Sequence, residues 1–484
     1  MKKILSLALA VVLLTFLSCG TVENETVKET SVNNIAEENE IIEIKDSIPD
    51  DLNFNGATLT ILCRTSPAYA VGQNEFVADE ETGDNFNDAV YRRNTIVEDR
   101  LNIKLNTVYD TYDKVPAMIR TSVAAGDHTY DLVAGFAANT PPLAAEGYFM
   151  NLFDVQYIDF ARPWWNQNII NESTVGGKLN FIVGDANISV FGYCMSLFVN
   201  KKLMAEYDLP YIYDVIFENK WTLDYMNGYI KDIYKDLNGD GVADDNDLYG
   251  FIIPNHSAHM NPFMEAGGMQ VTKIGSEGNP YFAMDTERMS GLVNKVYDIL
   301  YNNNGTVIVG GDDRNNIMFK NDQGVFVTGG FSNAALYRDM ESDFGIIPYP
   351  KYDEKQGKYL GGVAPYYSLF CIPVNSVTSD MTGAAMEAMS SESYKSVTPV
   401  YFDVLLKVKF ARDEVTSKMI DLIRESAYID FSILFNESIN NPWGTMYELV
   451  GKKSNNFASW YGSNNEKIQL AIEKLLDQMN SAEY

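Results

Sequence analysis

The chain has 484 residues, of which 46% are hydrophobic and 21% charged, and its formal net charge is −29. That length is enough for two or three lobes, each with its own core. So acidic a surface repels nucleic acid and anionic lipid, and excludes both as partners held by charge.

The N-terminus opens on Lys2 and Lys3, and an apolar run over residues 4–17 follows, interrupted only by Ser6 and Thr15. A basic front, an apolar run short for a membrane span and the small Ser18 at its end predict a secretory signal over 1–19. Cys19 stands at the cleavage point, and the pattern resembles a bacterial lipobox, whose thiol is lipidated and becomes the new N-terminus. Phe16 departs mildly from it, standing where the commonest lipoboxes have leucine. The mature protein is therefore expected outside the cytoplasm, held by Cys19 to the outer face of the cell membrane. Residues 20–50 carry nine acids against two lysines, a net −7, with little periodicity. That composition predicts a flexible, self-repelling tether.

The first fold signal is 57–63, ATLTILC, a buried strand by length and β-branching, bounded by Asn55-Gly56 and Pro67. Residues 88–101 place Val90, Ile96, Val97 and Leu101 at helical spacing, 103–108 alternates like a strand, and 114–125 is helical up to Gly126. A short strand over 130–134, then Gly135-Phe136 and a helix over 142–146, complete a first α/β run. A second begins near Trp164. It has strands at 178–183 and 194–200, helices at 201–206 and 222–234, a loop at 236–247 and a strand at 249–253. The helix 286–301 carries Met289, Leu292, Val293, Val296, Ile299 and Leu300 on one stripe. Strands at 324–328, 344–347 and 367–372 follow, and helices at 415–426 and 466–479 end the chain. Strands alternating with helices predict an α/β fold with a largely parallel sheet. Cys63, Cys194 and Cys371, an odd number with apolar neighbours, look like buried hydrophobes more than a disulfide framework.

From about residue 55 onward, several stretches in order resemble the bacterial extracellular solute-binding proteins that deliver sugars to ABC importers. Ala125-Gly126-Asp127 followed by Tyr130-Asp131-Leu132-Val133 is similar to the family's helix-to-strand unit, and 146–152, EGYFMNL, to its exit. Residues 197–203, LFVNKKL, resemble its strand-to-helix junction, while Ala266-Gly267-Gly268 and 344–350, FGIIPYP, match two more stretches. Lys220-Trp221-Thr222 is like a subset of the family with large second lobes. The resemblance implies a type II periplasmic-binding-protein-like fold of two hinged α/β lobes, with lobe one at 51–160 and 346–400 and lobe two at 161–345 and 401–484. It also implies a monomer that holds a carbohydrate between the lobes and presents it to ABC permease subunits, with no catalytic task.

Binding a sugar takes flat apolar faces for its C–H surfaces and planar polar groups for its hydroxyls. Large rings beside Gly and Pro in loops are the candidates. These are Trp164 and Trp165 after Arg162-Pro163, Phe331 after Gly329-Gly330, Tyr366 and Tyr367 after Pro365, and Trp443 in Asn440-Asn441-Pro442-Trp443-Gly444. Asp185 and Tyr193 bracket the loop before the 194–200 strand and join the set.

The sharpest local motif is 236–247, DLNGDGVADDND. Asp236, Asn238, Asp240 and Asp244 fall at positions 1, 3, 5 and 9 of a calcium loop, Gly241 at its sharp turn, the Val242 carbonyl at position 7 and Asp247 at position 12. A structural calcium is expected there, bound more weakly than with Glu at the last position. His256 and His259 share an H-x-x-H spacing, but they lack a paired acid and are flanked by Pro254 and Pro262, so neither a helix nor a zinc site is expected. No G-x-S-x-G elbow, P-loop or Rossmann fingerprint occurs. The competing readings are a secreted glycoside hydrolase or lyase, and a glycan-binding surface module without transport.

Overall fold

The computed structural model describes residues 44–65, 75–310, 313–407 and 414–481. Cys19, the signal segment and most of the tether lie outside them. The last residues of the predicted tether are already docked. Arg100 pairs with Asp46 at 2.6 Å, Ser47 Oγ donates to the Tyr157 carbonyl at 2.7 Å, and Ile48 is buried. The folded body thus begins near Asp46 rather than at residue 51.

From Lys45 on, the described chain is one compact unit carrying two principal sheets. In the first, Ala57–Arg64 lies between Ile103–Asp110 and Leu132–Phe136, parallel to both, and Ser368–Cys371 adds antiparallel beside Leu132–Phe136. Leu59, Ile61, Leu62 and Cys63 are all buried, as a central strand covered on both faces requires. The helix Asn85–Leu101 connects its first two strands. Asp84 caps it by accepting the N–H groups of Phe86 and Asn87, and Asn102 ends it in the left-handed region at φ 47°.

The second sheet runs Phe344–Ile347, Met195–Asn200, Gly324–Gly330, Leu248–Pro254, Tyr234–Lys235, with Thr306–Val309 also pairing to Leu248–Pro254. It is mixed rather than largely parallel, because Met195–Asn200 is antiparallel to both of its neighbours. The helix Thr286–Tyr301 covers it and buries every residue of the predicted stripe. Two predicted elements change. Residues 178–183 form only isolated bridges, Val175 with Lys178 and Ile182 with Phe370. The helix predicted over 222–234 stops as Leu223–Ile230, and Tyr234–Lys235 joins the sheet instead.

The crossings between the halves also move. Trp164, Trp165, Leu179 and Ile182 pack in one cluster with Leu59, Ile61 and Phe370 behind the first sheet, so residues 161–185 stay with that half. Phe344–Ile347 remains whole in the second sheet, and the return runs through Gly361–Gly362 to Tyr367. Gly361–Gly362 pairs in parallel with Ala427–Tyr428. Cys63, Cys194 and Cys371 are free and buried, as their apolar neighbours implied. Among the described residues, no helix is long and apolar enough to cross a membrane.

Candidate functional site

Parallel strands bring their carboxyl ends to one edge, and a crevice outside such an edge is where α/β proteins bind ligands. In the first sheet that edge holds Arg64 and Phe136, and the antiparallel register of Ser368 with Phe136 sets Tyr366 and Tyr367 beside them. In the second it holds Pro254 and Gly330, and the pairing of Gly330 with Met195 sets Tyr193 there.

The two edges meet at Tyr366. Its ring stacks on Phe136, with centroids 5.8 Å apart and planes at 16°, meets Tyr193 edge-on at 5.7 Å, and faces His256 at 6.5 Å. Tyr112, 55% exposed, approaches Phe136 at 5.4 Å and forms an outer lip. The Arg64 guanidinium lies 4.5 Å over the Phe136 ring and donates through Nη2 to the Tyr366 carbonyl. One ring therefore touches residues of both halves. Buried polar atoms nearby have no hydrogen-bond partner among the described residues, namely Arg64 Nε and Asn139 Oδ1. A flat aromatic face flanked by unspent donors and acceptors has the chemistry to hold a sugar ring. Partial desolvation lowers both histidines from their ordinary values, His259 to about 3. His256 caps a one-turn helix, Ser257–Met260, that its flanking prolines did not prevent.

The ring candidates separate cleanly. Tyr193 and Tyr366 are half-buried and stand at the meeting of the edges. Trp164, Trp165, Phe331 and Tyr367 are at most 2% exposed and belong to the core, which corrects their expected place in the crevice. The reason is local. Gly184 lets Trp165 pack against the backbone, where a Cβ would come within 2.6 Å of its ring. The Trp165 indole N–H donates to Glu387 at 2.9 Å. A glycine beside a ring thus admitted it inward rather than presenting it outward. Trp443, 5% exposed, is buried in the core too, with its indole N–H given to Glu265 Oε1 at 2.8 Å, which corrects its expected place as well. Asp185 is 8% exposed with no partner on Oδ2, and burial pushes it up to about 7.

Arg64, Tyr112 and Phe136 were missed, His256 was weighed only as a metal ligand, and the buried Glu265 was not singled out. Phe136 follows Gly135 at a strand end, the same signal used elsewhere, and Arg64 is a charge closing an otherwise apolar strand. Glu265 is a lone acid in the apolar run 262–266.

The loop 236–247 is folded by its own carboxylates. Asp236 accepts the N–H groups of Gly239 at 2.6 Å and Gly241 at 2.9 Å, and Asp240 accepts that of Val242 at 2.8 Å. Asn238 accepts the Asp240 N–H, and Asp244 that of Asn246. Asp247 is fully buried and accepts from the Leu237 N–H and the Tyr234 hydroxyl. Gly239 and Gly241, at φ 75° and 74°, supply the left-handed turns. The loop follows the strand Tyr234–Lys235 rather than a helix. Among the described residues, no three His, Cys, Asp or Glu side chains converge closely enough to hold a metal ion.

A family model described as bacterial extracellular solute-binding protein matches residues 94–394. Among solved structures, the fold is similar to a cyclo/maltodextrin-binding protein complexed with maltotetraose, at TM-score 0.52 and 15% identity over 88% of this chain and 97% of that one. It is similar to the GacH receptor of Streptomyces glaucescens GLA.O, solved unliganded and with acarbose, at TM-score 0.51 and 12% identity over 88% and 100%. UspC of M. tuberculosis gives 0.52 and 13% over 86% and 100%. At these identities the likeness is one of fold. A search of curated proteins found no match.

Proposed function

Because the chain belongs to the bacterial extracellular solute-binding protein family, we propose that it captures a carbohydrate between its two lobes and hands it to an ABC importer. The observation that carries this reading is the Tyr366 ring, which touches Phe136 of one strand edge and Tyr193 and His256 of the other. A solute seated there contacts both lobes at once, so binding and hinge closure are one event. That two solved neighbours were crystallised with maltotetraose and with acarbose supports an oligosaccharide as the solute. Tethering through a lipid on Cys19 would keep the loaded protein near its permease.

Calorimetric titration against a panel of neutral, acidic and amino oligosaccharides tests the reading. Saturable binding of at least one member, with no product released on prolonged incubation, is the expected outcome. Cleavage of a bound member would favour the hydrolase reading, and no binding across the panel would overturn the carbohydrate.

We also propose that the loop 236–247 takes a calcium ion of structural purpose. Its support is the pre-folded turn, in which both oxygens of Asp236 are tied to backbone N–H groups. Extracellular calcium modules bind at about 10⁻⁴ to 10⁻³ M, which suits the absence of Glu at the last position.

A further inference from the structure

One cation stands at the crevice without an anion. Arg64 ends the strand Ala57–Arg64, is 7% exposed, and lies 4.5 Å over the Phe136 ring with Nη2 given to the Tyr366 carbonyl. A guanidinium is a fork of N–H donors, and that is the one hydrogen bond this fork makes among the described residues, with Nε buried and unpartnered. No carboxylate among them forms an ion pair with it, although the chain holds 66 acids against 37 lysines and arginines.

Two acids come near, and both are otherwise engaged. Asp110 is the partner of Arg64 in strand register, but its carboxylate accepts from Lys114 at 3.0 Å and from the Thr111 N–H at 2.7 Å. Glu75, 3% exposed, accepts the Ser189 N–H at 3.0 Å and the Ser189 hydroxyl at 3.2 Å. Burial holds Glu75 above the ordinary carboxylate value, with the Arg64 charge acting against it. A second guanidinium, Arg93, 1% exposed, donates to the Glu75 backbone carbonyl at 2.7 Å. Arg93 spends its other donors on Ser393 and Asn94. Two buried guanidiniums thus adjoin a single buried carboxylate, and the one with donors to spare is Arg64.

Holding a charge out of water with its donors unspent is costly, and packing on Phe136 alone would be met as well by methionine. The place opens to solvent: Thr65 and His256 are exposed, and Tyr112 is 55% exposed. The planar fork of a guanidinium matches the two oxygens of a carboxylate. A single spare positive charge suits a monoanion, and the flat rings of Phe136 and Tyr366 beside it suit a planar anionic group carried on a sugar.

From this geometry we infer that Arg64 seats a carboxylate of the solute. The inference rests on the reading that the solute lies at Tyr366 between the lobes, and it narrows that solute to an acidic one, an oligosaccharide bearing a uronic acid. A simple aliphatic carboxylate shares this chemistry.

The probes are matched sets of mono- to trisaccharides carrying a uronic acid, its methyl ester or the corresponding neutral sugar, plus glutarate, titrated calorimetrically at neutral pH. At least one uronic-acid probe should bind about tenfold tighter than both counterparts. Arg64→Met keeps an apolar side chain over Phe136 and loses the charge, and it should abolish that preference with the near-ultraviolet circular dichroism unchanged. If that variant fails to fold, Arg64→Lys, which keeps the charge and loses the fork, should still cut the preference. Counterparts that bind as tightly as the acid would overturn the carboxylate seat and leave the carbohydrate reading standing. Binding of glutarate alone would keep the seat and overturn the sugar. Failure of every acidic probe, or an undiminished preference in both variants, would overturn the seat.

Discussion

Trp165 donates its indole N–H to a buried carboxylate, Glu387, and packs with Trp164 among the apolar side chains behind the first sheet. Replacing it with alanine removes a large buried ring and leaves Glu387 short of a donor. We expect Trp165→Ala to destabilise the fold by about 3–5 kcal/mol, measured by denaturant unfolding, with solute affinity little changed in the protein that remains folded. Unchanged stability with lost binding would return Trp165 to the crevice. Tyr366, flagged by the same rule of rings beside glycine and proline, behaves oppositely, and the difference was not legible from the neighbours of either. It depends on which side of the backbone the space lies, and only the register of Ser368 with Phe136 settles that. Arg64 and Glu265 were legible in principle as charges in apolar runs. Their roles were not, since each depends on a partner distant in the chain, Tyr366 and Trp443.

At the scale of elements, periodicity carried well wherever one face decides the structure. The stripe of the helix Thr286–Tyr301 is buried throughout, and the helix 201–206 falls on Lys201–Glu206, capped by Asn200. It failed at 178–183, where an apolar run suggested a strand but the chain passes as isolated bridges at the crossing. The loop 236–247 shows what a motif can and cannot say. Its turn glycines and its Asx contacts follow from spacing, and occupancy does not. If calcium binds only the folded loop, a concentration about a hundredfold above its Kd adds about 2.7 kcal/mol. Calcium should therefore raise the melting temperature, a chelator should lower it, and Asp236→Asn should erase the difference. Identical melts with calcium and with chelator would remove the metal.

Across the whole molecule, the C-terminal helix Phe457–Ser481 ties the two halves. Phe457 packs with the core of the second sheet, while at the far end the Met479 carbonyl accepts from Lys178 Nζ at 3.4 Å. The family resemblance announced the two-lobed architecture, and the two α/β runs in chain order agree with it. The points of crossing were not announced, because a buried strand looks the same in sequence whichever sheet receives it. The proposed function seats the solute where Tyr366 joins the two strand edges. Its most direct measurement is calorimetric titration of the wild type and of Tyr366→Ala with the best carbohydrate of the panel. We expect the variant to bind at least about tenfold more weakly with its unfolding temperature nearly unchanged. Equal affinity in the two proteins would contradict the claim.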